Sequence, residues 1–165
     1  MCSSDPLRKA GAEHGLRLFG SRAVESMRLE KGFLHWKADI ITEFDPFETG
    51  LDRFVKPQKS DFVGKDALLQ RMEAGPSRRL VTLVVDAQHA PAHGGASVRA
   101  NGRVVGSVTS AGLGHRTGLN LAYAFMEPDF AAIGTELSVD IIGTAVPAKV
   151  IERGPYDPGN LKMQA

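Results

Sequence analysis

His115 lies where a side chain could contact a ligand, in a loop between two predicted strands. It lies in a glycine-rich connection within residues 103–127, RVVGSVTSAGLGHRTGLNLAYAFME, between a strand-like run ending at Thr109-Ser110 and a second apolar run. Loops between strands are the usual position of functional groups. We therefore consider His115 a candidate for contact with a ligand or a neighbouring domain. The alternative is an exposed loop histidine.

Glycines in the same connection superficially resemble a loop that binds the phosphates of a dinucleotide. Gly112 and Gly114 are two residues apart, and Gly118 follows. Such a loop needs a strand before it and a helix after it, because the helix N-terminus meets the pyrophosphate. Here a strand is expected to follow a strand, so we reject a dinucleotide site.

The other polar clusters do not have the spacing of a metal or catalytic site. His89 and His93 are four residues apart but flank Pro91 in a loop, with no cysteine or carboxylate cluster near them, so we predict no metal site. No Ser-His-Asp pattern can be argued from spacing, and we assign no catalytic residue. Four carboxylates are spaced loosely in a loop and would form an acid–base pair only by accident of folding: Asp39, Glu43, Asp45 and Glu48.

The composition is that of an ordinary globular protein. The 165 residues are 42% hydrophobic and 24% charged, which allows one domain or two small ones with a real core. The net charge of +1 argues against a nucleic-acid partner, since phosphate binding usually needs a basic excess. The single cysteine, Cys2, cannot form an internal disulfide, which suits a reducing compartment.

Nothing in the sequence predicts membrane insertion or export. No apolar run approaches the roughly 18 residues of a membrane span. The first residues, MCSSDPLRKAGAEHG, have no apolar signal-peptide core. We therefore expect no membrane partner and, by default, a cytoplasmic protein. A mitochondrial location stays open if a transit peptide precedes this segment in a longer parent.

Two helices are predicted before residue 33. Asp5-Pro6 is a good helix start, and Gly15 would supply the left-handed C-cap. A second helix, SRAVESMRLEK over 21–31, would end at Gly32. On it Val24, Met27 and Lys31 share one face, and Arg28 falls beside this apolar stripe, where it can lie at the edge of a pocket.

Residues 33–59 have no period but many aromatic side chains, which predicts a loop packed onto an apolar partner, much of it outside this segment. A third helix is expected from Asp61 to about Met72, with Leu68 and Leu69 on its core face. Gly75-Pro76 would end it and form a domain boundary.

From residue 79 the pattern changes to short strands separated by turns. Asn101-Gly102 is the strongest hairpin signal, because both central residues of that turn need positive φ. Gly143-Thr144 is expected to join the last two strands. About six strands without a long helix indicate a small closed or semi-closed antiparallel β-barrel. The predicted fold class is therefore α+β, with helices before the barrel.

Six segments together resemble the glycine cleavage T-protein (aminomethyltransferase) family, because they follow the order and the approximate spacing of the family's motifs. The GLGH motif at 112–115 matches the branch fused to dimethylglycine and sarcosine dehydrogenases. The segments are SMRLEKGF (26–33), DPFETGLDRFV (45–55), KSDFVGKDALL (59–69), NGRVVGSVTS (101–110), LNLAYAFM (119–126) and PYDP (155–158).

The resemblance implies that residues 1–76 are the C-terminal part of a folate-binding α+β domain and residues 77–165 the family's C-terminal barrel. Members hold tetrahydrofolate in the centre of a three-domain ring and pass a one-carbon unit to it. A flavin (FAD) would take part only if a fused or partner oxidoreductase domain exists. The family's catalytic aspartate and pterin-binding glutamate lie upstream, so neither is assigned to a residue here.

By motif match, four residues are folate-binding candidates. Arg28 occupies the folate-contacting arginine position, where its guanidinium would suit carboxylates or the pterin carbonyl; the alternative is an arginine paired with Glu25 three residues away. Tyr156 lies near the ring opening, or only anchors the chain end. Trp36 would stack on the pterin, or pack in the core. His115 is the fourth.

The sequence thus predicts the C-terminal portion of a folate-dependent one-carbon enzyme, inactive without its N-terminal half or a partner chain. The alternative is a non-catalytic folate-binding or protein-interaction module. A relative that assists iron–sulfur protein maturation shows such reuse, but it carries a cysteine motif that is absent here. If the upstream half is absent, the aromatic side chains of 33–54 would form an exposed patch, and we expect self-association into a homo-oligomer.

Overall fold

The computed structural model describes residues 4–88 and 90–164; Cys2 and His89 lie outside them. The N-terminal region contains four α-helices and a 3₁₀ turn at Asp52–Phe54. The barrel follows, and a final helical turn closes the described chain. The α-helices are α1 (Ser4–Gly11), α2 (Ser21–Lys31), α3 (Pro46–Thr49), α4 (Lys65–Ala74) and α5 (Leu161–Gln164).

Six antiparallel strands close into a barrel in the order β1-β4-β3-β2-β5-β6. This confirms the predicted α+β class with a small β-barrel. Closure pairs every strand on both sides, so the ring has no free edge. The strands are β1 (Arg79–Val85), β2 (Ser97–Ala100), β3 (Arg103–Leu113), β4 (Asn120–Met126), β5 (Glu136–Ile141) and β6 (Thr144–Ile151).

Strands β1 and β4 are buried on both faces, which explains their continuous apolar sequences. One face, with Leu83 and Val85, points into the barrel core. The other face, with Leu80 and Tyr123, packs against Leu29 of α2. All seven residues of β4 are buried. These two strands therefore connect the barrel to the N-terminal region.

Two hairpin turns of the barrel each place two consecutive residues at positive φ. Asn101 and Gly102 have φ values of 50° and 78°, which confirms the predicted tight turn between β2 and β3. Between β5 and β6 the prediction was wrong by one residue. Ile142 and Gly143 occupy the positive-φ positions, with φ of 51° and 79°, and Thr144 already belongs to β6.

The predicted helices exist, with altered bounds. Helix α2 covers 21–31 as predicted, and Gly32 ends it with φ of 82°. Helix α1 ends at Gly11 rather than at Gly15, whose φ of 72° lies in the turn that follows. Helix α4 begins at Lys65 instead of Asp61, because Gly64, with φ of 87°, is its N-cap.

The apolar faces predicted for α2 and α4 are not buried. Val24 and Met27 are 44% and 52% exposed, whereas Arg28 beside them is buried. Helix α4 has no buried residue, and Met72 is exposed. The helical period identified an apolar face on each helix, but the described residues leave these faces exposed or half-buried.

Candidate functional site

The buried side of α2 carries a charged network centred on Arg28. Its guanidinium is 8% exposed and donates from Nε and Nη2 to Oε2 of Glu25, at 2.8 and 2.5 Å. Nη1 donates to Oδ2 of Asp39 at 2.6 Å. Burial acts to lower the pKa of Arg28, but the hydrogen bond with Glu25 and the charge of Asp39 outweigh it and raise that pKa. Arg28 is therefore held charged.

Asp39 connects three parts of the chain and is completely buried. Besides Arg28, its Oδ2 accepts the backbone N–H of His35 at 2.9 Å. Its Oδ1 accepts hydroxyl hydrogen bonds from Thr109 at 2.5 Å and Ser110 at 2.6 Å. Neighbouring strand residues normally face opposite ways, but β3 carries a bulge between Val108 and Ser110. The bulge lets both hydroxyl groups reach one carboxylate.

Tyr123 lies below this network at the interface between α2 and β4. Its hydroxyl donates to the carbonyl of Leu29 at 3.2 Å, and the Arg28 guanidinium lies 5.8 Å from its ring centroid. Burial raises the pKa of Tyr123 well above its ordinary value, and the charge of Asp39 raises it further. Tyr123 therefore stays a neutral hydrogen-bond donor.

The loop that carries His115 is clamped by Glu30, which is 2% exposed. Oε1 of Glu30 accepts the backbone N–H groups of Arg116 and Thr117 at 2.8 and 2.6 Å and the Thr117 hydroxyl at 2.9 Å. A Cβ on Gly114 would lie 2.7 Å from Oε1 of Glu30, so the close approach requires glycine there. His115 itself is exposed beside this clamp.

An open groove of about 410 Å³ runs along the exposed side of α2 towards the chain end. We call it the α2 groove. Its walls are mainly apolar, with cationic side chains among them, and this size falls within the usual range of small-molecule sites, about 300–1,000 Å³. The residues that line it are Val24, Met27, Arg28, Glu30, Lys31, Phe33, Arg116, Tyr156, Asp157 and Lys162.

The C-terminal tail, residues 152–164, forms one wall of the α2 groove. The backbone N–H of Tyr156 donates to the carbonyl of Glu30 at 2.9 Å. Lys31 Nζ donates to the carbonyl and Oδ2 of Asp157 at 2.6 and 3.0 Å, and Lys162 Nζ donates to the Tyr156 hydroxyl at 3.1 Å. These contacts tie the tail to the end of α2.

The structure brings two of the four candidate residues together. Arg28 and Tyr156 both line the α2 groove. His115 is exposed next to Arg116, which lines that groove. Trp36 is 59% exposed, pairs through its backbone with Ile40, and is not among the lining residues. Core packing, the alternative considered for Trp36, does not occur in the described chain.

Sequence reasoning missed Asp39, Glu30 and Arg116. Asp39 lies in an irregular segment, and two of its partners, Thr109 and Ser110, are about 70 residues away, so no local pattern marks it. Glu30 had a weak signal: it shares the 3–4 spacing of Ser26 and Leu29, which defines the face that is actually buried. Arg116 simply follows His115 in the loop.

The arrangement is suited to binding a partly apolar ligand that carries a negative group. Most of the Arg28 hydrogens are committed to Glu25, Asp39 and the Phe33 carbonyl; within the described residues, Nη2 makes one hydrogen bond, leaving its second hydrogen for a ligand. Residues 4–88 and 90–164 hold no group of three His, Cys, Asp or Glu side chains that could bind a metal ion. None of their helices has the length and apolar character of a membrane span.

Comparison with known proteins gives two adjacent family matches. The glycine cleavage T-protein C-terminal barrel domain matches residues 78–157, and the GCVT N-terminal domain matches residues 3–59. The second match ends before α4 and the first begins just before β1. Neither match covers residues 60–77, so the boundary near residue 76 remains a prediction.

The relatives are longer than this chain. It is 36% identical over 149 residues to human mitochondrial dimethylglycine dehydrogenase, covering 90% of the chain and 17% of that protein. It is 41% identical over 146 residues to an aminomethyltransferase of Saccharopolyspora erythraea, covering 88% of the chain and 40% of that enzyme. The crystal structure of glycine cleavage system aminomethyltransferase T from Bartonella henselae superposes with a TM-score of 0.86 at 26% identity, covering 95% of the chain and 44% of that protein.

Proposed function

Because the chain belongs to the glycine cleavage T-protein family, we propose that it is the C-terminal portion of a tetrahydrofolate-dependent one-carbon enzyme. The parent activity would be that of an aminomethyltransferase or of a dimethylglycine or sarcosine dehydrogenase. The observation that carries the proposal is the order of the two family matches along a fold that superposes on an aminomethyltransferase.

The α2 groove is the proposed folate contact of this chain. Tetrahydrofolate combines a flat pterin with an anionic glutamate end, and its nitrogens accept the one-carbon unit. Met27 and Phe33 offer apolar contact, Tyr156 an aromatic face, and Arg28 and Arg116 positive charge. These residues fit such a ligand. Trp36 and His115 would contact it only from beyond the groove, so they are the weaker candidates.

We propose that turnover requires the upstream part of the family fold, in the same polypeptide or in a partner chain. The chain spans 17% to 44% of the relatives it matches. Its N-terminal region also exposes large apolar side chains that an adjacent domain would cover. Among them are Leu18, Phe19, Phe33 and Trp36, which are between 57% and 69% exposed.

Titration of tetrahydrofolate tests the proposal, with the fluorescence of Trp36, the single tryptophan, as the readout. The chain is measured alone and after mixing with the N-terminal half of the S. erythraea aminomethyltransferase. We expect saturable binding in the mixture, weakened in Arg28→Gln and Tyr156→Ala, and transfer of a one-carbon unit to folate. An Arg99→Gln variant on the barrel surface is the matched control. Absence of folate binding in every mixture would refute the proposal.

The alternative, a non-catalytic binding module, is supported by one observation. The guanidinium of Arg28 is mostly committed to Glu25 and Asp39, which gives it a structural role whether or not a ligand binds. If the mixture binds folate without transferring a one-carbon unit, this alternative is correct. FAD would enter only through a fused or partner oxidoreductase domain. A cytoplasmic location stays a prediction that cell fractionation would check.

A further inference from the structure

A second groove, of about 650 Å³, lies where the N-terminal region meets the C-terminal tail. Three segments, residues 31–34, 50–53 and 153–160, form it together with Ile40. Its lining includes three cationic side chains, Lys31, Arg53 and Arg153, and no carboxylate. We call it the Arg53–Arg153 groove. A concave site lined by one sign of charge concentrates ligands of the opposite sign.

The guanidinium of Arg153 lies against the backbone of Thr49 and Gly50. Its Nη2 donates to the carbonyl of Thr49 at 2.9 Å. A Cβ on Gly50 would lie 3.0 Å from the same nitrogen, so glycine lets the guanidinium approach the backbone closely. Burial lowers the pKa of Arg153, and the neighbouring charge of Arg53 lowers it too. Tyr123 and the charge of Asp39 act to raise this pKa but do not offset the decrease.

Neither Arg53 nor Arg153 has an ion-pair partner within the described residues. Lys31 has a carboxylate partner, since its Nζ lies 3.0 Å from Oδ2 of Asp157. No carboxylate oxygen of residues 4–88 or 90–164 lies within 4 Å of the Arg53 or Arg153 guanidinium. Arg53 lies instead over the ring of Phe54, 4.7 Å from its centroid. An anion in the groove would give these two arginines an ion-pair partner that the described residues do not supply.

We propose that the Arg53–Arg153 groove binds an oxyanion with two or more negative charges, a phosphate group or a polycarboxylate. Arginine favours both because its planar fork donates paired hydrogen bonds to two oxygens. The Arg153 fork keeps donors beyond the one used by Thr49. The groove adjoins the α2 groove at Lys31 and Phe33. The proposal does not rest on folate binding.

Isothermal titration of the chain with inorganic phosphate, and separately with citrate, tests this inference at constant ionic strength set by chloride. We expect saturable binding of at least one anion. Arg53→Gln is the decisive variant, because Arg53 makes no hydrogen bond within the described residues, so its loss should leave folding intact. Losing a charge-assisted hydrogen bond should weaken binding about tenfold. The control Arg22→Gln, at an exposed arginine of α2, should bind like the original chain.

The two anions identify the source of the negative charge. Binding of phosphate alone indicates a phosphate ester, and binding of citrate alone indicates a carboxylate ligand; both outcomes support the site. Arg153→Lys adds a second check, since it keeps the charge but loses the fork and should also weaken binding. Equal affinity of the original chain and Arg53→Gln, or no saturable binding of either anion, would overturn the proposal.

Discussion

The barrel and the N-terminal region differ in how many of their apolar side chains they bury. The barrel closes its hydrogen-bonded ring and fills the interior with apolar side chains from all six strands. The N-terminal region, residues 4–76, contributes Leu29 as its one fully buried apolar side chain, and most of the exposed large apolar residues belong to it. The difference teaches that strand closure buries the barrel's apolar side chains, whereas the described residues leave many apolar side chains of the N-terminal region exposed.

Buried polar contacts, in addition to the apolar packing around Leu29, attach the N-terminal region to the barrel. Ser26 donates to the carbonyl of Leu113 at 2.6 Å, and Glu30 and Asp39 accept from β3 and from the loop that follows it. Buried hydrogen bonds to charged groups contribute more to stability than neutral ones. Loss of one partner is also more costly, because the other is left buried without a hydrogen bond. This makes the attachment sensitive to single substitutions.

Asp39→Ala should weaken the attachment of the N-terminal region to the barrel, with the largest loss of stability among these variants. It leaves the buried Arg28 with Glu25 as its one carboxylate partner among the described residues. It also removes the carboxylate acceptor of the Thr109 and Ser110 hydroxyl groups, of which Thr109 keeps a longer hydrogen bond to the Tyr123 carbonyl. Removing one partner of a buried ion pair typically costs about 3–5 kcal/mol. We expect a loss of this size in the free energy of unfolding, measured by urea denaturation, with the barrel strands unfolding last.

The matched control for Asp39 is Glu43→Ala, an exposed carboxylate of the same segment. It should change stability by less than about 0.5 kcal/mol. Equal losses in the two variants would show that Asp39 does not hold the two regions together.

Gly114→Ala tests the clamp between Glu30 and the loop after β3. The added Cβ would lie 2.6 Å from the Thr117 hydroxyl and 2.7 Å from Oε1 of Glu30. Overpacking of this kind costs about 1–3 kcal/mol. The midpoint of thermal unfolding should fall clearly, whereas Gly20→Ala, where no atom lies within 4 Å of the new Cβ, should change little. A similar fall in both variants would contradict the clamp.

The exposed apolar side chains of the N-terminal region should make the chain self-associate. Met27→Lys and Trp36→Lys together should shift the sedimentation profile towards the monomer at high concentration. Ile142→Lys, an exposed apolar residue of the β5–β6 turn, is the barrel-side control and should leave the profile unchanged. A chain that is monomeric at every concentration would refute the prediction that the exposed apolar side chains of the N-terminal region drive self-association.

The ion pair of Lys31 with Asp157 gives the smallest expected effect, at acidic pH. The hydrogen bond from Lys31 lowers the pKa of Asp157 below its ordinary value of 3.8. A carboxylate whose pKa is lowered in the folded state adds stability above its unfolded pKa and loses it as pH falls through the folded value. The stability difference between the original chain and Asp157→Asn should therefore shrink below about pH 4. A difference independent of pH would show that the pair does not form.

The amino-acid sequence by itself determined the local structure. Asn101-Gly102 located the hairpin between β2 and β3, Gly32 located the end of α2, and the short strands indicated a barrel. The family resemblance also followed from the sequence, since the six motifs keep their order. Each of these features depends on neighbouring residues and on backbone preference, which a sequence displays directly.

Only the tertiary structure decided which side of α2 is buried and what surrounds Arg28. The apolar stripe of Val24 and Met27 predicted the wrong face, because helical period indicates an apolar face but not which element covers it. The contacts of Asp39 with Thr109 and Ser110 join residues about 70 positions apart, through a bulge in β3. Such contacts depend on how the strands close into the barrel, which no local pattern specifies.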